Sequence, residues 1–285
     1  MIQTDETTLA RLKPRDGKPL VFLAIPTYDR RMDIGTADAV VRATSTTRCV
    51  VRRHNAPLLA YNFNICWCDA LNLRESLGVT HFCMLHADLI PSGDWLNDLM
   101  AELERSGLDA LSVVSPIKDL RGLTSTGLDV SGLAGKSPWA VRRITMSELF
   151  MLPETFEGAD AAAILPGWPK NWPVTLCVNT GLLLIDLRKP WVEQVHFEIR
   201  DCIHRDPVSG LFEAFCEPED WGFSRQMAAL GVRYGATRKI LLNHIGSMAY
   251  DNASAWGTEK SDSVGVESGD IEVTAPENAS AIVGA

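Results

Sequence analysis

Two short groups of titratable side chains in this 285-residue chain could carry chemistry. The first is His86 and Asp88, which follow the apolar segment HFCML, and the second is Glu217, Glu219 and Asp220 in the segment EPEDWGFS. An imidazole and a carboxylate two residues apart at the end of a strand can bind a divalent metal ion or a ribose hydroxyl. Adjacent carboxylates raise one another's pKa, which suits one of them to general-base catalysis.

A third residue with metal-binding chemistry is His244, which follows the segment KILLN. Beside Asp88 it would give one imidazole and one carboxylate with open positions for phosphate oxygens, a mixed site that Mn²⁺ and Mg²⁺ accept. Structural interpretations stay open for all three features. A lone histidine is commonly structural, Asp88 can cap a turn before the next helix, and acids at a helix N-terminus are favoured by the helix dipole.

The hydrophobic pattern predicts the elements that must position these residues. Short apolar runs, typical of strands buried on both faces, alternate with segments of helical periodicity. This alternation predicts an α/β fold with a mostly parallel sheet. Ligands of such sheets bind outside the carboxyl ends of the strands, where His86 and Asp88 lie. We predict strands at 20–25, 48–53, 80–85, 109–114, 174–187 and 236–243, and helices at 36–46, 58–77, 93–105 and 217–230, with Gly78 and Gly107 ending two of them.

The composition divides the chain into three parts. Residues 1–18 are predicted to be a polar leader, residues 19–250 a single domain, and residues 251–285 an acidic tail. The tail holds seven acidic residues and one basic residue, and so carries most of the formal net charge of −9. It lacks a core-forming pattern, which predicts disorder. Residues 119–172, rich in Gly, Pro and Trp, are expected to be binding loops with short strands and helices.

Composition and missing motifs exclude several classes of protein. With 46% hydrophobic and 22% charged residues, the chain is an ordinary globular protein rather than a collagenous, coiled-coil or wholly disordered one. The glycine-rich motifs of dinucleotide-binding and P-loop folds and the G-x-S-x-G motif of hydrolases are absent. Seven cysteines, an odd number, favour reduced thiols over a disulfide framework. No signal peptide or membrane span is predicted, so we expect a cytoplasmic protein.

In this order, the motifs resemble those of the GT-A class of nucleotide-sugar-dependent glycosyltransferases, in particular its large inverting family. The matching segments are Pro26-Thr27-Tyr28, the asparagine-bearing helix YNFNICWCDAL, HAD in place of D-x-D, the pair Glu219-Asp220, and His244. The resemblance covers about residues 20–250 and implies a GT-A, Rossmann-like fold with a mixed, mostly parallel central sheet flanked by helices. His86 departs from the family's first aspartate, and the absence of Q-x-x-R-W and of membrane spans implies a non-processive, soluble enzyme.

The resemblance places one group of residues at a nucleotide. Thr27, Tyr28 and Asp29 would lie near the nucleobase, with Tyr28 as a stacking surface. Arg53 and Asn62 would approach the nucleotide or its diphosphate. The implied donor is a nucleoside-diphosphate sugar, with UDP-sugars favoured.

The resemblance also implies a metal site and a catalytic base. Asp88 and His244, with His86 as a further candidate, would hold Mn²⁺ or Mg²⁺, which neutralises the departing nucleoside diphosphate. Asp220, beside Glu219, would take the proton from the acceptor hydroxyl as that oxygen attacks the anomeric carbon, giving inversion. The implied activity is a metal-dependent hexosyl transfer.

Five further residues are candidates for contact with the donor sugar or the acceptor. Asn179, Thr180 and Gly181 interrupt an apolar stretch, and the family has a similar small-residue turn beside the donor sugar. A simple β-bulge or hairpin explains them as well. Asp119 follows a strand end and can reach either substrate, or be a solvated loop charge. Trp221 can form a platform for a sugar or base, or fill the core.

Other functions and several acceptors stay open. A sugar nucleotidyltransferase would normally show a glycine-rich, basic loop after the first strand, whereas this chain has PTYDRRMDIGT with two arginines and one glycine. A non-catalytic nucleotide-sugar-binding module is consistent with the departure at position 86. The acceptor can be a glycan, a small molecule or a hydroxymethylated base of phage-type DNA. Arginines at 30–31, 52–53 and 142–143 allow the DNA acceptor, although solvated surface charge also explains them.

Overall fold

The computed structural model describes residues 17–258 except 134–135, 166–167, 170–171 and 207–208. Residues 1–16 of the expected leader and residues 259–285 of the expected tail therefore lie outside the described residues.

A seven-stranded sheet forms the centre of the fold. Its strands in spatial order are β2 (Cys49–Asn55), β1 (Val21–Thr27), β3 (His81–Leu85), β10 (Leu182–Asp186), β5 (Ala110–Val113), β13 (Tyr234–Thr237) and β8 (Thr155–Phe156). β1 pairs in parallel with β2 and β3, and β5 pairs in parallel with β13, whereas β10 and β8 run antiparallel to their neighbours. The predicted class is confirmed: the chain is an α/β protein with a mixed, mostly parallel central sheet flanked by helices.

The strand β1 is buried on both faces, which explains its unbroken apolar sequence. Phe22 belongs to the larger core, where helix α2 (Leu59–Leu77) packs. Leu23 belongs to a second core on the opposite face, where α1 (Ile34–Thr46) and α3 (Trp95–Ser106) pack. Alternate residues of a strand point to opposite faces, so a strand covered on both sides needs apolar residues throughout.

The helices begin and end at residues that satisfy terminal backbone groups. The side chain of Asp33 accepts a hydrogen bond from the N–H of Gly35 at the start of α1 (2.8 Å). Gly78 and Gly107 end α2 and α3 in the left-handed region (φ 72° and 65°), as predicted, because glycine adopts this conformation without a Cβ clash. The remaining helices are α4 (Met146–Leu149), α5 (Gly158–Ile164), the 3₁₀ helix Pro190–Gln194 and α6 (Glu219–Ala229).

Three smaller sheets lie around the central one. The first contains β7 (Val141–Thr145), β6 (Leu123–Asp129) and β9 (Leu176–Cys177). The second contains β15 (Ala249–Asp251), β14 (Leu242–Ile245) and β4 (Leu89–Pro91), and the third is a hairpin of β11 (Arg200–Arg205) and β12 (Phe212–Glu217). Residues 119–172 thus contain short strands and helices, as expected, whereas the hairpin has no counterpart among the predicted elements.

Two predicted strands are wrong in extent. The segment 174–187 forms β9 and β10, and the segment 236–243 forms β13 and the start of β14; each pair is divided between two sheets. Asn179 lies at the first break, where its side chain donates to the carbonyl oxygen of Val113 (2.9 Å) and accepts from the N–H of Gly181 (3.0 Å). An apolar run shows that a segment is buried, but not which strands pair with it.

The described body extends beyond the predicted boundary at residue 250. Asn252 is buried, and its side-chain amide donates to the carbonyl oxygens of Val114 (3.1 Å) and Ile240 (3.0 Å). The same side chain accepts from the N–H of Leu242 (3.0 Å). Residues 249–258 therefore pack on the body, and the expectation that disorder begins at residue 251 is corrected for this segment.

Two further expectations concern membranes and thiols. Within the part of the chain that the structure describes, no helix is both long and apolar enough to cross a bilayer. All seven cysteines lie in this part, and none forms a disulfide. Burial raises the pKa of the Cys66 thiol to about 12, which keeps this thiol protonated and unreactive.

Candidate functional site

The loops that follow the parallel strands bring the candidate residues together at one edge of the central sheet. Tyr28 follows β1, His86 and Asp88 follow β3, and the segment with Lys118 follows β5. Parallel strands end at the same edge, and their carboxyl ends are the usual ligand site of open α/β sheets.

A cavity of about 430 Å³ lies between the loops after β1 and β3. Asn62 of α2 is buried behind it, where its amide donates to the carbonyl oxygen of Thr27 (2.9 Å) and its Oδ1 lies 2.7 Å from Nδ1 of His54. Tyr28 is 73% exposed, so one face of its ring is open to a planar ligand. The predicted site residues that line this cavity are Thr27, Tyr28, Asp29, Asn62, His86 and Asp88.

Arg53, which was expected near the nucleotide, lies outside the lining of this cavity. It is exposed on the edge strand β2, with its backbone beside Ile25 of β1. Its neighbour Arg52 pairs with Asp69 of α2 (2.8 Å). Since neighbouring residues of a strand point to opposite faces, the side chain of Arg53 points away from the helix that carries Asn62. The expectation for Arg53 is therefore corrected.

The segment from His86 to Asp88 is held by backbone hydrogen bonds to three other segments. The N–H of His86 donates to Gly181 (2.8 Å), the carbonyl of Ala87 accepts from Asp33 (2.8 Å), and the carbonyl of Asp88 accepts from the N–H of Ile245 (2.8 Å). Burial lowers the pKa of His86 to about 4, so its imidazole is neutral at pH 7. Its Nε2 is buried and has no hydrogen-bond partner among the described residues.

The Asp88 carboxylate lies close to two basic side chains, those of Lys118 and His244. Nζ of Lys118 lies 2.5 Å from its Oδ2, and Nε2 of His244 lies 3.6 Å from the same oxygen. Burial alone would raise the pKa of Asp88, but the hydrogen bonds to His244 and Lys118 hold it well below its usual value. His244 is oriented through Nδ1, which lies 2.8 Å from the carbonyl oxygen of Pro116. Asp88 is therefore an ionised carboxylate that is already paired with an ammonium group.

These contacts test whether the residues expected to bind Mn²⁺ or Mg²⁺ fit such an ion. The structure does bring Asp88 and His244 together, with His86 adjacent. The described residues contain no group of three or more His, Cys, Asp or Glu side chains arranged to hold a metal ion. A divalent ion at Asp88 would also meet the charge of Lys118 at the same oxygen. The metal stays a prediction from the sequence, and the ammonium of Lys118 at the Asp88 oxygen does not fit it.

Glu219 and Asp220 form the first turn of helix α6, directly after Pro218. Glu219 is buried, and burial raises its pKa. Burial, followed by the charge of Glu219, raises the pKa of Asp220 to about 8, while Arg143 acts in the opposite direction. Oδ1 of Asp220 accepts a hydrogen bond from the N–H of Trp221 (2.8 Å), which fixes the carboxyl group at the helix start. A partly exposed carboxyl group with a raised pKa has the chemistry of a general base.

Glu217, the third acid of this sequence group, has a structural role. It is fully buried and pairs with Arg200 of β11 and Arg225 of α6. Arg225 also pairs with Asp129 (2.7 Å). These ion pairs connect the hairpin β11/β12 to α6 and so support the position of Asp220.

Arg143 is a residue of this site that the sequence analysis did not identify. There it was one of several arginines that solvated surface charge could explain. Its guanidinium lies 4.7 Å from the ring centre of Trp221 and donates to the carbonyl oxygen of Thr124 (3.1 Å). Burial lowers the pKa of Arg143, and the charges of Asp220 and Asp119 oppose that change. Asp119 itself accepts from the backbone N–H and the side chain of Arg121. It lies among the cations of the site, in agreement with its position after a strand end.

A second cavity, of about 630 Å³, lies beside Asp220. Its wall includes Pro218 and Trp221, the residues on either side of the acid pair. Trp139 adopts a left-handed backbone (φ 57°), and Arg200 lies 5.4 Å from its ring centre. A large aromatic residue rarely adopts this conformation, and such strain is concentrated at functional sites. Further lining residues are Val141, Arg143, Asp201, Ile203 and Phe215.

The turn of Asn179, Thr180 and Gly181 supports this edge of the sheet. Both polar ends of the Asn179 side chain are used by backbone groups, and Thr180 is buried. A Cβ atom on Gly181 would lie 2.8 Å from Leu89 and 3.7 Å from the imidazole of His86. Gly181 therefore positions His86, and Asn179 holds the turn that carries Gly181.

Two cations of the site, Lys118 and Arg143, have no sequence motif of their own. Lys118 follows β5 in the same way that Asp88 follows β3. Its position beyond the carboxyl end of a central strand, where ligands of such sheets bind, is the signal that could have identified it. Arg143 lies on β7, outside the central sheet, and offers no such signal.

Comparisons with known proteins find solved structures that resemble this chain in fold. No protein-family model matches the chain, and no curated protein matches its sequence. The chain is similar to the solved structure of A197 from STIV, with 13% identity and a TM-score of 0.45 over 80% of this chain and 86% of that one. It is also similar to a Bacillus anthracis protein named as a glucose-1-phosphate thymidylyltransferase and solved with sucrose, with 12% identity and a TM-score of 0.34 over 78% of this chain and 69% of that one. At these identities the similarity concerns the fold alone.

Proposed function

We propose that the chain is a glycosyltransferase that moves a sugar from a nucleoside-diphosphate sugar, with UDP-sugars favoured, to an acceptor hydroxyl with inversion. The observation that carries the proposal is the Asp220 carboxyl group. It is fixed at the start of α6 with a raised pKa, and Pro218 and Trp221, which flank the pair Glu219-Asp220, line the larger cavity. A base so placed suits deprotonation of a hydroxyl group bound in that cavity.

The smaller cavity supports the donor side of the proposal. Tyr28 offers an exposed ring on which a nucleobase can stack, and Asn62 holds the loop of Thr27 in place. Asp88 also lines this cavity and is paired with Lys118 behind it. A nucleotide bound there can donate hydroxyl hydrogen bonds to the carboxylate and bring its phosphate oxygens close to the ammonium group. The residues at this cavity therefore have complementary chemistry for a nucleoside diphosphate.

In the proposed reaction the acceptor oxygen attacks the anomeric carbon of the donor sugar. Its proton passes to the carboxylate of Asp220, a new C–O bond forms, and the bond from the anomeric carbon to the diphosphate breaks with its electron pair on phosphate. Attack from the face opposite the leaving group inverts the configuration. No step is assigned to a metal ion, because the donor set at Asp88 does not fit one.

The larger cavity favours an acceptor with a ring that can pack against aromatic side chains. Trp139, Phe215 and Trp221 give it aromatic surface, and Asp201 and Arg143 supply charged groups at its wall. Aromatic faces of this kind pack against sugar rings or heterocycles. We therefore propose a glycan or a small ring-bearing hydroxyl compound as the acceptor.

The arginine clusters give little support to a DNA acceptor. Arg31 pairs with Asp29, and Arg142 pairs with Glu148. Arg143 is engaged inside the site rather than on the surface. Paired arginines contribute less to a positive surface that attracts phosphate backbones.

Asp220→Asn tests the proposal directly. The amide keeps the size of the side chain but cannot accept a proton, so we expect release of UDP from UDP-glucose to fall by about a hundredfold or more. The variant is expected to retain the thermal shift that UDP produces in the wild type. Exposed Asp98→Asn is the matched control and should leave both readouts unchanged.

Two results would contradict the proposal. One is full activity of Asp220→Asn in UDP release. The other is formation of a nucleotide sugar from a nucleoside triphosphate and a sugar phosphate, which would favour the nucleotidyltransferase alternative.

A further inference from the structure

Lys118 is held in a defined position against Asp88 by close packing of its alkyl chain. The chain lies on the backbone of Gly246, where an added Cβ would be 3.0 Å from Cδ, 3.1 Å from Cβ and 3.3 Å from Cγ of the lysine. Its ammonium lies 2.5 Å from Oδ2 of Asp88. A side chain at position 246 would force the lysine to shift. Glycine at this position therefore allows Lys118 to lie against Asp88.

The backbone before Lys118 is fixed as well. The imidazole of His244 lies within hydrogen-bond distance of the carbonyl oxygen of Pro116 (2.8 Å), and the N–H of Ile117 donates to the carbonyl oxygen of Leu123 (2.9 Å). Asp88 is fixed through its carbonyl oxygen, which accepts from Ile245. Both partners of the ion pair are therefore positioned by neighbouring segments, which reduces the conformational entropy lost when a ligand binds.

The ammonium of Lys118 has donors left for a ligand. Lysine carries three N–H donors, and the contact with Asp88 uses one of them. The lysine side chain is 40% exposed, and Asp88 lines the 430 Å³ cavity. Arg31 also lines this cavity, but Lys118 is the cation that contacts Asp88.

We propose that Lys118 is the group that binds the donor diphosphate, in the place where related chemistry uses a divalent metal ion, and that Asp88 and Gly246 position it. This inference rests on the proposed function. As the bond from the anomeric carbon to the phosphate oxygen breaks, the electron pair goes to that oxygen and Lys118 donates hydrogen bonds to the diphosphate. The proton of the acceptor goes to Asp220, so charge and atoms balance without a metal ion.

Binding of UDP, measured by titration calorimetry in EDTA and again in Mn²⁺, tests the inference. The wild type is expected to bind UDP in EDTA about as tightly as in Mn²⁺. Lys118→Ala should weaken binding in EDTA about tenfold, the effect of one lost charge-assisted hydrogen bond. Lys118→Arg should restore most of the affinity because it keeps the charge. Gly246→Ala should give a smaller loss than Lys118→Ala, and wild-type affinity in this variant would overturn the positioning role of Gly246.

Lys189→Ala is the matched control. Lys189 is also 40% exposed and also pairs with an aspartate, Asp109 (2.7 Å). Asp109 lines neither cavity, however, whereas Asp88 lines the smaller one. Its replacement should leave UDP affinity unchanged, and unfolding curves without ligand should show that all variants are folded.

The outcomes separate this inference from the proposed function. UDP binding that requires Mn²⁺ in the wild type, or that survives Lys118→Ala in EDTA, would overturn the role of Lys118 and leave the glycosyltransferase proposal standing. An absence of binding by UDP, GDP, dTDP and CMP in both EDTA and Mn²⁺ would overturn the proposed function, and the inference with it.

Discussion

At the scale of single residues, the chemistry of the site depends on the balance of charges around Asp220. Burial and the neighbouring Glu219 raise the pKa of this carboxyl group, and the guanidinium of Arg143 lowers it. The same guanidinium covers the ring of Trp221 at the wall of the larger cavity. Arg143 therefore couples the protonation of the proposed base to the surface on which an acceptor would bind.

The pH dependence of activity follows from this balance. The proposed base acts when it is deprotonated, so the rate of UDP release should fall as the pH decreases through about 8, the pKa of Asp220. Arg143→Met removes the charge that lowers this pKa, so the fall should begin at a higher pH. Arg143→Lys keeps a positive charge and should change the profile less. A profile of kcat/KM from pH 6 to 10 that is identical in Arg143→Met and wild type would contradict this role.

The stability of the protein should also report the raised pKa. An unfolded aspartate has a pKa of about 3.9, and the folded value of Asp220 is higher, so ionisation of this group costs folding free energy as the pH rises above the unfolded value. Asp220→Asn removes that cost. The variant should therefore gain more in Tm, relative to the wild type, at pH 9 than at pH 5. Equal differences at both pH values, measured by scanning calorimetry, would refute the buried ionisation.

The site could be predicted in part because some of its chemistry lies where strands end. Asp88 and His244 follow strand-like segments, and Asp220 lies in a group of acids, so their types and positions mark them in the sequence. Lys118 and Arg143 are single cations among loops and short strands, where a charged residue usually faces solvent. Their roles depend on contacts with residues far away in the chain, and the hydrophobic periodicity of the sequence does not reveal those contacts.

At the scale of elements, the hairpin β11/β12 is tied to helix α6 through a buried carboxylate. Glu217 ends the hairpin and pairs with Arg200 and Arg225, and α6 begins two residues later with Glu219. A buried charge with two guanidinium partners resists separation, because loss of either partner leaves a charge without compensation. The hairpin wall of the larger cavity and the proposed base are therefore held in one arrangement.

Glu217→Gln tests this connection. Removing the buried carboxylate leaves the guanidinium groups of Arg200 and Arg225 without this negatively charged partner. We therefore expect a loss of about 3 kcal/mol in the free energy of unfolding. Urea unfolding followed by circular dichroism measures the change. Glu213→Gln, on the same strand but exposed, is the control and should change stability by less than about 0.5 kcal/mol. A loss no larger than that of the control would contradict the proposed connection.

The elements that could be predicted are those whose sequence fixes both their period and their ends. The strand β1 is apolar on both faces, and α2 ends at Gly78, where the backbone turns left-handed. The strands β9 and β10 could not be separated in the sequence, because the small polar turn between their apolar runs is also compatible with a bulge in a single strand. Only the side-chain hydrogen bonds of Asn179 show where the backbone passes from one sheet to the other.

At the scale of the whole molecule, the segment after residue 248 closes the fold. Asn252 connects Val114, which follows β5 of the central sheet, to Ile240 in the loop before β14 and to Leu242, the first residue of β14. The backbone of Trp256 lies against Gly122, where an added Cβ would be 2.0 Å from a carbonyl oxygen. The described body therefore uses residues that composition alone assigns to the acidic tail.

Asn252→Ala should destabilise the whole protein. The change leaves three buried backbone groups without their partner, and we expect a loss of about 3 kcal/mol in the free energy of unfolding. Ser254→Ala, an exposed position in the same segment, should have little effect. Thermal unfolding of both variants measures the difference, and equal Tm values would show that this segment is not part of the cooperative unit.

The two tryptophans of the larger cavity give the protein an optical signal of its own. Trp139 and Trp221 each lie close to a guanidinium group, at 5.4 Å and 4.7 Å from the ring centres. Indole fluorescence responds to nearby charge and to the removal of water, so a compound that enters the cavity should change the emission of both rings. Unlabelled libraries of hydroxyl compounds can thus be screened in a cuvette, before any sugar donor is known, with Trp139→Phe identifying the signals that arise in this cavity.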